Sequence, residues 1–133
     1  GVPPPDNPGR FAAQSLSMIA NAFANAGVRD EELLRTLSRA LVRHAREGGG
    51  DFGALSLSLM ASAYVRLEYV DGQLFRCLAA LAREVPIKQW DGKSLSTISH
   101  ALYTRGALTP PLVRHLAEVC VTVPPRKWKL SDV

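Results

Sequence analysis

The sequence predicts an all-helical fold, an α-solenoid of three helical-hairpin repeats of about 38–41 residues. Three observations predict it. The tripeptide Ser-Leu-Ser begins at Ser15, Ser56 and Ser94, at offsets of 41 and 38 residues. After each copy the apolar positions Leu16, Ile19, Ala20, Phe23 recur as Leu57, Met60, Ala61, Tyr64 and as Leu95, Ile98, Ser99, Leu102, and their three-and-four spacing makes one helical face. A second landmark, Asp30, Asp71 and Thr109, keeps the same offsets. Each reads as the N-cap of a second helix, Thr109 standing before Pro110, which suits a first helical position.

The elements follow in order. Residues 1–10 hold four prolines and two glycines and read as an extended lead-in rather than helix. The helical-repeat domain is expected over 11–123, with repeats at 11–50, 51–89 and 90–123. Residues 124–133 are a basic linker or the start of a further repeat. The first helices are expected over 11–25, 52–67 and 93–104. The second are expected over 31–47, 72–84 and 110–121, with Leu33/Leu37, Leu74/Leu78 and Leu112/Leu116 in register.

Gly27 and Gly106 suit the left-handed residue that ends a first helix. Repeat two has Glu68 there, so its turn is expected to close differently. Gly48-Gly49-Gly50 accounts for the longer first offset. Ala22, Ala63 and Ala101 are small in all copies, as close helix approach requires. The linker Val85-Pro86-Ile87-Lys88-Gln89-Trp90 recurs as Val123-Pro124-Pro125-Arg126-Lys127-Trp128. Because neither terminal repeat carries a polar capping face, the chain reads as a window of a longer array.

Composition bounds the function. The chain has 133 residues, 47% hydrophobic and 21% charged, enough for a packed core without staples. Cys77 and Cys120 fall at different repeat positions and read as reduced helix residues. Apolar stretches are interrupted well before the roughly 18 residues a membrane helix needs. A net charge of +4 permits an anionic partner without requiring one. His44, His100 and His115 are the only histidines, and no metal-ligand spacing or Gly-rich phosphate loop is present. No enzyme, metal, cofactor or small-molecule substrate is expected.

Three sets of residues point to a nucleic acid. Arg35, Arg76 and Arg114 share one position of the second helix, and a row of guanidinium forks suits a phosphate backbone. A solvated helix face that uses Arg gives the same pattern. On the first helices, opposite the core, stand Gln14, Met18, Asn21, Asn25, then Leu55, Leu59, Ser62, Arg66, then Lys93, Thr97, His100, Thr104. From these, Asn21, Asn25, Ser62, Arg66, His100 and Thr104 are the candidate base contacts, since small polar residues varying on a fixed frame suit base-by-base reading of single-stranded RNA. A tolerant solvent face would look alike. The linkers set Trp90 beside Lys88, and Trp128 among Arg126, Lys127 and Lys129. That pairing suits base stacking with phosphate binding, or two tryptophans that seal the core.

The string Leu-Ser-x-Ile-Ala-x-Ala-Phe-Ala-x-Ala-Gly from Leu16 to Gly27, followed by Asp30 and a Leu-rich helix, resembles the heptatricopeptide repeats of organellar RNA-binding proteins. These are similar to the octotricopeptide and FAST-kinase-like arrays that often accompany a RAP domain. The resemblance covers nearly all of 11–133. It departs at Glu68, at Ser99-His100 in place of Ala-Asn, and at the glycine insertion. It implies a mitochondrial protein that binds RNA, including ribosomal RNA fragments of a mitochondrial ribosome, beside neighbouring proteins of a ribonucleoprotein. No RAP domain lies in these residues, so no activity of one carries over. The rival reading is a protein-binding α-solenoid, a scaffold or assembly factor whose arginines face an acidic partner.

Overall fold

A computed structural model describes residues 8–47 and 52–122, with backbone alone for 8–12. The chain is all-helical. Its helices are α1 (Pro8–Ala26), α2 (Glu31–Arg46), α3 (Ala54–Arg66), α4 (Gly72–Glu84), α5 (Gly92–Thr104) and α6 (Pro110–Thr122), with a 3-10 turn at Ile87–Gln89. No strand occurs among the described residues.

Side-chain caps set the starts of α2, α4 and α5, whereas α3 starts after Gly53 without one. The Asp30 carboxylate accepts from Leu33 N at 3.1 Å and Asp71 from Leu74 N at 3.0 Å, satisfying first-turn donors that have no partner within the helix. Asp91 caps α5 and completes a capping box: it accepts from Ser94 N at 2.7 Å while Ser94 Oγ accepts from Asp91 N at 3.2 Å. That box starts α5 at Gly92, one residue before the expected Lys93. The start of α1 corrects the reading of 1–10 as wholly extended, because Pro8–Arg10 form its first turn. Proline suits that place, since the N–H it lacks has no partner in a first turn and its φ is already helical. Residues 1–7 lie outside the described residues, as do the Gly48–Gly50 insertion and the linker from Val123 onward.

The turn inside each hairpin closes in one way in all three copies. Val28 N donates to Phe23 O at 2.9 Å and Gly27 N to Ala24 O at 3.2 Å. Tyr69 N to Tyr64 O at 3.1 Å and Glu68 N to Val65 O at 3.0 Å repeat the pair, as do Ala107 N to Leu102 O at 2.8 Å and Gly106 N to Tyr103 O at 3.0 Å. The pivot residues Gly27, Glu68 and Gly106 lie in the left-handed region at φ 70°, 57° and 67°. The expectation that Glu68 forces a different turn is therefore wrong. Glutamate takes the left-handed conformation, at about 1–2 kcal/mol of Cβ strain. The capping bonds offset that strain, together with an edge-to-face contact of the Tyr64 and Tyr69 rings at 5.7 Å.

The odd helices pack in succession, α1 on α3 and α3 on α5, and so do the even ones, α2 on α4 and α4 on α6. Within hairpins α1 packs on α2 and α3 on α4. Small residues make the contact between odd helices close. Ala13, Ser17 and Ala20 of α1, and their equivalents Ala54, Ser58 and Ala61 of α3, are all buried. Leu57, Met60, Tyr64, Leu74, Phe75, Leu78, Ile98 and Leu102 fill the middle, each fully buried. Each such side chain is worth roughly 1.5–3 kcal/mol over its exposed state. Polar bonds also tie neighbouring hairpins: Ser38 Oγ donates to Asp71 Oδ2 at 2.5 Å, Tyr64 Oη donates to Leu34 O, and Arg29 Nε donates to Leu67 O at 3.0 Å.

Burial follows position in the chain. Met60 and Ile98 are fully buried, whereas their equivalent Ile19 is 42% exposed. Ala63 and Ala101 are buried where odd helices meet, whereas Ala22 is exposed. The opposite trend holds at the other end. Leu34 and Phe75 are buried, and their equivalent Val113 is 48% exposed. Ser17 and Ser58 are buried and Ser96 is exposed. The middle hairpin, α3 and α4, is thus covered on one face by α1 and α2 and on the other by α5 and α6.

Candidate nucleic-acid interface

The candidate base contacts lie on the odd helices, and Arg66 draws four of them together. Arg66 stands in the last turn of α3, beside the last turns of α1. Its Nη1 donates to Asn25 Oδ1 at 2.7 Å, its Nη2 to Asn21 Oδ1 at 2.7 Å and its Nε to Ser62 Oγ at 3.2 Å. A guanidinium has only donors, so it fixes both asparagines with their oxygens turned inward. Their NH₂ groups then point away from Arg66 as donors. Asn25 and Arg66 are exposed, and Asn21 and Ser62 half-buried, so the cluster faces solvent.

Grooves run to either side of it. One, of about 750 Å³, is lined by Gln14, Met18 and Asn21 of α1, by Leu55 and Leu59 of α3, and by Glu84 and Gln89 among others. The other, of about 360 Å³ between α3 and α5, is lined by Ser62, Val65, Arg66, Ser96, Thr97 and His100, with Ala101. Most of these residues belong to the face that the repeat pattern singles out. Glu84 and Gln89 do not, because they come from the end of α4 and the 3-10 turn. The recurrence of the Val85–Trp90 linker is the signal that could have found Gln89, and no repeat signal marks Glu84. His100 and Thr104 are exposed on α5, where Thr104 Oγ1 donates to His100 O at 2.8 Å. Among the described residues Thr104 is thus held to its own helix rather than to the Arg66 cluster.

The arginine row lies on the even helices. Arg35, Arg76 and Arg114 are exposed on α2, α4 and α6, at the same place in each. Among the described residues none of them makes an ion pair or a hydrogen bond; the ion pairs there are Arg29–Glu31 at 2.7 Å and Arg43–Glu47 at 3.9 Å. The two candidate sets therefore occupy different rows of helices. Lys88 is exposed in the 3-10 turn. Arg126, Lys127, Trp128 and Lys129 lie outside the described residues.

Trp90 is a correction. It is fully buried, so its ring offers no face to a base. The repeat offset aligns it with Phe52, which is also buried, and both stand just before an odd helix where they close the core. Among the described residues no three or more His, Cys, Asp or Glu side chains gather to hold a metal ion, and no helix is long and apolar enough to cross a membrane.

Arg29 is a residue the repeat pattern did not single out. It bonds Leu67 O, pairs with Glu31 and lies 5.9 Å from the Tyr69 ring centroid, so it braces the first hairpin against the second. Its equivalents Val70 and Leu108 are apolar, which hides it from a search for repeated cations. None of the family models, characterised proteins and solved structures compared with the chain matches it.

Proposed function

We propose that the six helices form an α-solenoid of three hairpins and that this array binds single-stranded RNA. The observation that carries the reading is the row of exposed arginines, Arg35, Arg76 and Arg114, without an acidic partner among the described residues. Three unneutralised guanidinium groups at one position of successive helices suit an anionic polymer of regular spacing. The donor cluster around Arg66 supports the same reading. Asn21, Asn25 and Arg66 present N–H groups beside the two grooves, and base edges and phosphates are rich in acceptors.

The resemblance to heptatricopeptide repeats extends the proposal to a mitochondrial protein whose RNA is ribosomal, held with neighbouring proteins of a ribonucleoprotein. Crosslinking and sequencing of RNA bound in the protein's own cells tests it, beside an Arg35/Arg76/Arg114→Ala variant. Discrete organellar ribosomal sites that fade in the variant are the expected result. No RNA above background would overturn the proposal and leave a protein-binding scaffold. That second reading is favoured by one observation, the exposed apolar side chains Tyr103, Val113 and Val121 at the last hairpin.

A further inference from the structure

We infer that the Arg66 cluster selects the keto bases, uracil and guanine, over the amino bases, cytosine and adenine. The inference rests on the RNA-binding reading and adds to it which bases are taken. It follows from the groups that the cluster leaves facing outward. Asn21 and Asn25 each commit Oδ1 to Arg66, at 2.7 Å in both bonds, so the acceptor of each amide is turned inward. What remains outward on each is an NH₂ group, which only donates. A guanidinium carries five N–H groups and no acceptor, and the bonds to Asn25, Asn21 and Ser62 use three of them. The others are donors as well. Ser62 and Arg66 belong to α3, which has α1 packed on one side and α5 on the other, and there Arg66 is still exposed and Ser62 half-buried. The cluster is thus open on a helix that its neighbours already flank.

Bases differ in the group they would set against those donors. Uracil shows the O4 acceptor where cytosine shows an N4–H₂ donor, and guanine shows O6 beside N7 where adenine shows N6–H₂. A single strand can splay its bases and present these edges. A carbonyl gains hydrogen bonds from the cluster, whereas an exocyclic amine sets donor against donor and leaves both groups without a partner. The side chains of the groove toward α5 do not reverse the choice. Ser96, Thr97 and His100 each can donate or accept. Beside Asn21, the larger groove offers the side chains of Met18 and Leu55, 58% and 66% exposed. That apolar surface suits the face of a base and not a phosphate.

Titration of the wild-type chain with oligouridine and oligocytidine of equal length tests the inference. Oligouridine is expected to bind about tenfold more tightly, the discrimination of one well-placed hydrogen-bonding pair. Asn21/Asn25→Asp keeps the shape of both side chains. One carboxylate oxygen still accepts from Arg66 and the other stands where the NH₂ group was, so the outward donors become acceptors. This variant is expected to keep the wild-type helical circular dichroism, to bind both oligonucleotides more weakly, and to lose the preference for uridine or reverse it. Arg66→Ala, which lets both amides rotate, is expected to bring the ratio of the two affinities toward one. Equal wild-type affinities would overturn the inference alone and leave the cluster as a phosphate contact. A uridine preference that survives Asn21/Asn25→Asp would place the selectivity elsewhere and overturn it too. Binding of neither oligonucleotide at low salt would overturn the RNA reading beneath it.

Discussion

Arg66 on α3 donates to Asn25 on α1 at 2.7 Å, across 41 residues of chain, and this bond defines the candidate base-reading surface. Both residues are exposed, so the contact contributes little to stability. Arg66→Ala is therefore expected to change unfolding free energy by less than about 1 kcal/mol. It frees the Asn21 and Asn25 amides to rotate, and single-stranded RNA affinity is expected to fall about tenfold, in keeping with the loss of one charge-assisted donor set. Chemical unfolding and RNA titration of one preparation check the split. An affinity equal to wild type would remove the cluster from the site.

The left-handed turns give a prediction of opposite sign at equivalent positions. Glu68→Gly relieves Cβ strain at φ 57° and is expected to stabilise by up to about 1 kcal/mol after glycine's own entropy cost. Gly27→Ala and Gly106→Ala introduce that strain at φ 70° and 67° and are expected to destabilise by about 1 kcal/mol each. A Cβ at either glycine meets nothing within 4 Å, so the effect is one of backbone conformation alone. Urea midpoints of the three variants measure it.

Tyr64 makes stability depend on alkaline pH. Burial pushes its phenol well above the ordinary tyrosine value, with help from the Asp71 charge and from Tyr69. The folded state thus keeps a proton that the unfolded chain gives up near pH 10. The contribution is complete below about pH 10 and is lost as pH rises beyond it, at up to about 1.4 kcal/mol per pH unit. Tyr64→Phe removes the bond to Leu34 O, at about 1 kcal/mol, and the gap between wild type and variant should shrink as pH rises above about 10. Unfolding curves of both proteins across that range follow the gap.

Trp90 and Phe52 hold equivalent buried places. Trp90→Phe keeps a large ring there and removes an indole N–H that has no hydrogen-bond partner among the described residues. It is expected to cost less than about 2 kcal/mol, whereas Trp90→Ala leaves a cavity and is expected to cost about 3–5 kcal/mol. Thermal unfolding ranks the two.

The helices were legible in the sequence because their signals are local. Asp30 and Asp71 announce α2 and α4 by their own carboxylates, and Gly72–Glu84 is bounded by that cap and by Pro86. Glu68 was misread because a residue type fixes only the cost of a left-handed turn, and the bonds from Tyr69 and Glu68 that offset it are formed in the folded chain. Trp90 was ambiguous because an aromatic among cations in a linker looks the same whether it faces solvent or seals a core. The face carrying Asn21, Asn25, Ser62 and Arg66 followed from the period, but the pairing did not. Residue 66 meets residues 21 and 25 only through the packing of α3 on α1.

The most direct test of RNA binding is the salt dependence of single-stranded RNA affinity for the wild-type chain and for Arg35/Arg76/Arg114→Ala. Three phosphate contacts on a single strand contribute about two to the slope of log affinity against log salt. The account predicts measurable binding at low salt, a wild-type slope steeper than the variant's by about two, and weaker binding by the variant at every salt concentration. Equal slopes would show that the arginine row touches no phosphate, and absence of binding at low salt would contradict the RNA reading itself.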